Sequence, residues 1–155
     1  MARDTQSITK MSRREGYALH PKAVKHMVKR STIPGQHGRT NRRSNPSQYA
    51  LQLREKQKVK RLYGLLERQF SNLMREASRK TGQSGTVLLQ FLEQRADNVV
   101  YRAGFANSRR AARQLVSHGH FMLNGRRVDI PSIRLKSGDV LTVRPKSTST
   151  EYFKH

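Results

Sequence analysis

The chain has 155 residues, of which 34% are hydrophobic, and 32 Lys and Arg stand against 10 Asp and Glu. The formal net charge of +22 calls for a polyanionic partner; we expect nucleic acid, with an acidic membrane surface as the weaker alternative. The absence of Cys excludes disulfides and thiolate zinc sites, and no apolar run approaches the ~20 residues of a membrane span.

Residues 1–44 form a basic arm that contains few apolar residues. Apolar side chains at helical spacing predict a single short helix over residues 21–29, and we expect the rest to be extended or irregular. The arm alone cannot bury enough surface to offset the entropy of ordering. It should order against RNA or against the next helix; a flexible basic tail is the alternative.

The arm contains the motif Pro-Gly-Gln-His-Gly at residues 34–38. Its two glycines allow close approach of the backbone to a ligand. Gln36 and His37 could then reach phosphate or ribose. A plain turn accounts for the motif equally well.

Residues 45–80 predict one long helix, with Asn45 as the N-cap and Pro46 in the first turn. Gly64 should weaken its centre by about 1 kcal/mol relative to Ala. The predicted buried stripe consists of Leu62, Leu66, Phe70, Leu73 and Ala77. The opposite face is basic and carries Arg54, Lys56, Lys58, Lys60, Arg61, Arg68 and Arg75.

A Gly- and Ser-containing break at residues 81–85 predicts a boundary. The expected ranges are an arm at 1–44, a long helix and linker at 45–85 that complete an N-terminal helical domain, a module at 86–147 and a tail at 148–155. Within the module, apolar spacing predicts a helix over residues 86–104.

The stretch from residue 108 to residue 128 predicts a second helix followed by a hairpin. Ser108 is a good N-cap, Gly119 can end the helix, and Asn124-Gly125 is a strong hairpin turn. Alternating apolar residues at 128–135 and a run at 140–143 suggest further strands. The predicted fold class is therefore α+β, with a basic arm and helical domain followed by a small helix-plus-antiparallel-sheet module.

Residues 95–132, RADNVVYRAGFANSRRAARQLVSHGHFMLNGRRVDIPS, resemble the RNA-binding module of bacterial small-subunit ribosomal protein four. The same module occurs in several RNA-modifying enzymes and synthetases. Three further segments resemble the ribosomal family itself: residues 12–16, the motif at 34–38, and the helix from residue 48 to residue 70. The chain ends soon after the module, where members of this family usually continue. We therefore expect either a shortened member of the family or a chain of which a part is missing.

The resemblance implies a non-catalytic role. Some members of this family bind metal through a cysteine cluster in the arm, which is impossible here because the chain has no Cys, so we expect neither metal nor cofactor. Such proteins bind 16S-type small-subunit rRNA in its 5′ domain, nucleate the body of the subunit and affect decoding accuracy. They neighbour ribosomal protein five and lie near the path by which mRNA enters. The implied location is the ribosome of the cytoplasm, with an organellar ribosome as the alternative, and no membrane is involved.

Candidate RNA-binding residues fall in two groups. The positions that the resemblance implies for the module are Arg95, Asn98, Arg102, Ser108, Arg109, Arg110, Arg113, Gln114, His118, Asn124, Gly125 and Arg126. Those of the arm and long helix are Arg3, Arg13, Arg14, Gly35, Gln36, His37, Gly38, Arg39, Arg42, Arg43, Tyr49, Gln52, Arg54, Lys56 and Lys60. Tyr49, Tyr101 and Phe105 could stack on bases or pack in the core.

Three other functions remain open. An RNA-modifying enzyme would need a catalytic domain, for which 155 residues leave no room. A ribosome-associated or stress factor would carry the same module but bind transiently, and a DNA-compacting protein would prefer duplex DNA. His118 and His120 lack a nearby carboxylate cluster, so we expect no metal site there.

Overall fold

The structure, a computed structural model, describes residues 4–38 and 45–153. These residues form two compact units, residues 1–70 and 71–155, whose division lies earlier in the chain than the break predicted at 81–85. In the described part, the helices are α1 (Ile8–Glu15), α2 (Pro21–Lys29), α3 (Gln48–Leu62), α4 (Glu67–Ala77), α5 (Ser84–Glu93), α6 (Ala96–Arg102), α7 (Arg109–Ser117) and α8 (Pro145–Thr148). The strands are β1 (Phe121–Leu123), β2 (Arg126–Val128) and β3 (Leu141–Val143), and a 3-10 turn spans Glu151–Phe153. The predicted α+β class is confirmed.

The arm is more ordered than its composition suggests. Helix α2 has the predicted bounds, but the expectation that residues before it are irregular is wrong, because α1 precedes it. Ser12 joins α1 to the loop that leads into α2: its buried hydroxyl donates to the Ile8 carbonyl over 2.8 Å and accepts from the Leu19 amide over 3.2 Å. Met11 and Ala23 are buried with it.

Glu15 attaches the arm to the next helix. Its side chain is inaccessible to solvent and accepts from Arg54, at 3.2 Å, and from Arg61, both on α3. The expectation that the arm orders against the next helix is confirmed for α1.

The helix predicted over residues 45–80 is two helices. Ser47, rather than Asn45, caps α3, with its hydroxyl accepting from the Ala50 amide over 3.3 Å. Gly64 has φ +67°, and the chain closes α3 with hydrogen bonds from Gly64 N to Arg61 O and from Leu65 N to Lys60 O. This is the Schellman arrangement, which needs a left-handed residue, so Gly64 ends a helix instead of weakening one.

The helix predicted over residues 86–104 is also interrupted. Arg95 is extended because the flanking amide and carbonyl bond elsewhere: Leu135 N donates to Gln94 O, and Ala96 N donates to Ile133 O, each over 2.8 Å. The segment around Ile133 is therefore a loop with one bridge between Arg95 and Arg134, rather than the strand that its alternation suggested.

The sheet is antiparallel, with the order β2-β1-β3. Phe121 lies at its centre opposite Val128 and Val143, and it is fully buried. The segment predicted as a tail packs here, since the Phe153 ring meets the Phe121 ring edge-on at 6.0 Å. The core of this unit consists of Ala96, Val100, Ala106, Ala112, Val116, Phe121, Val128 and Leu135.

Candidate nucleic-acid interface

Helix α7 presents polar side chains because its apolar stripe is buried. The Ser108 hydroxyl accepts from the Ala111 amide over 3.2 Å and so starts the helix as predicted. Ala112 and Val116 are buried in the core, whereas Arg110 and Gln114 are exposed.

Asp97 forms the centre of a buried ion-pair group beneath α7. The Arg95 guanidinium donates to both carboxylate oxygens, at 3.1 and 2.9 Å, and the Asn98 amide donates at 2.9 Å. Arg113 of α7 lies 3.6 Å from the same carboxylate. Arg95 and Asp97 are only 4% and 5% exposed, so the pair is a structural element that links α6 to α7.

A second carboxylate, Glu93, organises the neighbouring cations. It accepts from Asn98 Nδ2 at 2.7 Å and from Arg102 Nη2 at 2.9 Å. Asn98 in turn accepts from Arg109 Nε at 2.9 Å, and the Arg109 guanidinium lies 4.7 Å from the centre of the Tyr101 ring. This chain of contacts fixes the direction of Arg109 at the start of α7.

The predicted module residues therefore divide by depth. Arg95 and Asn98 are buried and hydrogen-bonded within the chain, which does not fit a direct contact with RNA. They instead support Arg109 and Arg113. Tyr101 is covered by Arg109 and Phe105 packs edge-on against Phe121 at 5.5 Å, so both belong to the scaffold rather than to a base-stacking surface. The predicted residues that are exposed are Arg102, Arg110, Gln114, His118, Asn124, Gly125 and Arg126.

The hairpin turn is held by an internal network. Asn124 has φ +49°; its Nδ2 donates to Asp139 and its Oδ1 accepts from the Val140 amide, each at 2.9 Å. The Lys136 amide and Asn124 Nδ2 donate to the Asp139 carboxylate and hold its pKa below the usual value. Asn124 thus positions the turn, and its exposed neighbour Arg126 remains a candidate contact.

Arg127 is a further exposed cation beside the hairpin turn, although it was not among the candidate residues. Gly119 has φ +71°, and a Cβ there would lie 2.4 Å from Arg127 Nε. The guanidinium therefore lies against Gly119, the residue that follows the C-cap of α7. Its place in the Arg126-Arg127 pair that follows the Asn-Gly turn was the signal that could have identified it.

The candidate residues of the other unit also differ in exposure. Arg14, Gly35, Gln36, His37, Tyr49 and Gln52 are exposed, and Arg13 and Gly38 are half-buried. Tyr49, at 74% exposure, is the candidate with an aromatic face open to a base. Arg54 is held by Glu15, while Lys56 and Lys60 both bond Glu67. Arg3, Arg39, Arg42 and Arg43 lie outside the described residues.

The acidic residues of the described chain are largely occupied by ion pairs with Lys or Arg. The donors Lys56 and Lys60, for example, hold the pKa of Glu67 below its usual value through their hydrogen bonds. The paired carboxylates are Glu15, Glu55, Glu67, Glu76, Glu93 and Asp97. Because 32 basic residues face only 10 acidic ones, this pairing leaves a large cationic excess for a polyanion.

Residues 4–38 and 45–153 contain neither a metal-binding group of side chains nor a membrane-spanning helix. No group of three or more His, Asp or Glu that could hold a metal ion occurs there. No helix among these residues is both long and apolar enough to cross a membrane.

Comparison with known proteins divides the chain into two matched regions. Residues 3–93 match the family described as ribosomal protein S4/S9 N-terminal domain, and residues 94–141 match the S4 domain. The second region contains Asp97, Asn98 and the hairpin, whereas Glu93 is the last residue of the first region.

Several relatives match over nearly the whole chain. The small ribosomal subunit protein uS4 of Chlorobium phaeovibrioides is 57% identical over 147 residues, which cover 95% of this chain and 72% of the relative. The uS4 proteins of Chloroflexus aurantiacus and Chlorobaculum tepidum are 53% and 54% identical, and the matches cover 75% and 74% of those proteins.

Proposed function

The chain belongs to the ribosomal protein S4 family, that of small ribosomal subunit protein uS4, and on this premise we propose that it is a structural, rRNA-binding component of the small ribosomal subunit. The finer proposal is that it binds 16S-type rRNA early in assembly and helps to nucleate the subunit body. Ribosomal protein five would be a neighbour, and mRNA would pass nearby on its way to decoding, whose accuracy the protein would influence.

The observation that carries this proposal is that buried polar residues support α7 while other polar residues of α7 are exposed. Arg95, Asp97 and Asn98 are buried in a hydrogen-bonded polar group, while Arg110 and Gln114 are exposed on α7, to which this group is joined. Arg126 is exposed at the hairpin. Such a scaffold presents guanidinium groups at fixed positions, as a folded RNA requires.

The mechanism is binding without chemical change. Each Lys or Arg that neutralises a phosphate releases a condensed counterion, so the affinity falls as the salt concentration rises. Arginine forks hold phosphate oxygens in pairs, and structured RNA is distinguished by the shape of its backbone, its 2′-hydroxyls and its unstacked bases.

The test is the salt dependence of binding to a 5′-domain fragment of small-subunit rRNA. Replacing Arg110 and Arg126 together by Ala should lower the slope of log affinity against log salt by about two, since each contact contributes about one. The matched control replaces Lys136 and Lys146, which are exposed and outside the candidate set, and removes the same charge. Equal effects of both double variants would contradict the proposed interface.

A second measurement tests membership of the subunit. A structural component should remain at one copy per small subunit after washing in high salt. Loss of the protein during washing would indicate a factor that associates transiently, and preference for duplex DNA over the rRNA fragment would indicate a DNA-compacting protein.

A further inference from the structure

A cationic cavity of about 450 Å³ lies in the unit formed by residues 1–70. It lies between α1, the end of α2 and the glycine-containing turn at 34–38, and its walls include Arg13, Lys29, Arg30, Thr32, Gly35 and Gln36. The described residues that line it include three cations and no carboxylate. Lys29 and Arg30 were not among the candidate RNA contacts, and neither was Thr32.

Arg13 is fixed in this cavity before any ligand arrives. Its Nε donates to the Thr32 carbonyl over 3.0 Å and its Nη2 donates to the Thr32 hydroxyl over 3.4 Å. These two bonds orient the guanidinium plane and connect α1 to the segment that follows α2. An arginine held in this way loses little side-chain entropy when it binds an anion.

The turn at 34–38 forms a rigid wall. Gly38 donates to the Gly35 carbonyl over 3.3 Å, and a Cβ on Gly38 would lie 1.9 Å from the Ile33 carbonyl oxygen. Gly35 has φ +121°, which side chains other than hydrogen rarely allow. The glycines are therefore required by the turn itself, and the turn places Gln36 at the cavity.

We propose that this cavity receives one unstacked nucleotide of the bound RNA, an inference that rests on the proposed function. Arg13, Lys29 and Arg30 neutralise its phosphate, and Gln36 supplies both a donor and an acceptor for the sugar or the base. The volume lies within the ~300–1,000 Å³ of sites for small ligands, which suits a single nucleotide. Sequence-specific RNA recognition commonly uses bases splayed out in this way.

The experiment compares two double variants of the full chain, each of which removes two positive charges from α2 or its C-cap. Lys29 and Arg30 line the cavity, whereas Lys22 and Lys25 are exposed on α2 outside it. Binding of the 5′-domain rRNA fragment should weaken about tenfold or more for K29A/R30A, and by clearly less for K22A/K25A. Equal losses would overturn the proposal, because the cavity would then contribute only net charge.

Adenosine 5′-monophosphate and inorganic phosphate serve as small probes for the same variants. The nucleotide should shift the backbone amide NMR signals of Thr32, Gly35 and Gln36 in the wild type and in K22A/K25A, but not in K29A/R30A. Equal affinity for inorganic phosphate would overturn the assignment to a nucleotide. A chain that takes up the nucleotide but fails to bind the rRNA fragment would contradict the proposed function and identify the source as a free nucleotide.

Discussion

Arg109 Nε donates to the Oδ1 atom of Asn98 over 2.9 Å, so the first residue of α7 is tied to a buried amide on α6. Asn98 is 2% exposed and is itself held by Glu93. A cation at the surface thereby takes its orientation from polar groups in the interior. Through this arrangement, the half-buried Glu93 and the buried Asp97 help to position the arginines of α7.

Replacing Asp97 by Asn should destabilise residues 71–155 by about 3 kcal/mol, because removing one partner of a buried pair leaves the other charge uncompensated. Arg95 would lose its carboxylate and Arg113 its neighbouring charge. Hydrogen exchange of the α7 and β1 amides in the full chain measures the effect.

The matched control is Asp129→Asn, which also removes one negative charge but acts at an exposed residue. It should change stability by no more than about 0.5 kcal/mol. If the two variants lost protection equally, the buried ion-pair group would not be the link between α6 and α7.

Replacing Gly64 by Ala should destabilise the protein by about 1 kcal/mol, since φ +67° is strained for an L residue. If a helix continued through residue 64, the same replacement would stabilise the protein, because Ala has a higher helix propensity than Gly. The control is Gly85→Ala: Gly85 lies in α5 with open space around its Cβ position, and Ala should stabilise there by about 0.5 kcal/mol. Thermal unfolding of both variants decides between the two geometries.

The sequence predicted correctly those features that depend only on residues close together in the chain. The bounds of α2, the Ser108 cap and the turn at Asn124 follow from residues close in the chain. The exposure of Arg110 and Gln114 follows from their positions off the apolar stripe.

Features that depend on distant residues could not be predicted. The break before α6 exists because Gln94 and Ala96 bond a loop some forty residues later. Likewise, the burial of Asn98 depends on Glu93 and Arg109, which reach it from two other elements. A glycine such as Gly64 suits either a weak helix centre or a helix end, and tertiary packing selects between them.

The pKa of Asp139 should respond to Asn124. The Lys136 amide and the Asn124 side chain donate to the carboxylate and lower its pKa in the folded chain. The stabilisation is therefore complete above the unfolded pKa and is lost as the pH falls through the lowered folded value. Replacing Asn124 by Gly keeps the left-handed turn but removes the donor, so the pKa should rise towards its ordinary value. Carbon-13 NMR titration of the Asp139 carboxyl measures it; an unchanged value in the variant would rule out this contact.

Replacing Glu15 by Gln should release the arm from α3. The carboxylate is inaccessible and holds both Arg54 and Arg61, whose side chains are partly exposed. Solvent around the arginines reduces the cost below that of a fully buried pair, to about 2 kcal/mol. Hydrogen exchange of the α1 and α2 amides should accelerate, and the rRNA fragment should restore protection because it binds the ordered form.

Glu55→Gln provides the control for this variant, since Glu55 pairs with Lys58 on the exposed surface of α3. An exposed pair contributes at most about 0.5 kcal/mol, so the arm should keep its protection. Equal exchange in the two variants would mean that α1 is held by its other contacts, those of Met11, Ser12 and Arg13. Faster exchange in the Glu15 variant without rescue by RNA would show that the ordered arm is not the form that RNA binds, and the cavity containing Arg13 would lose its proposed role with it.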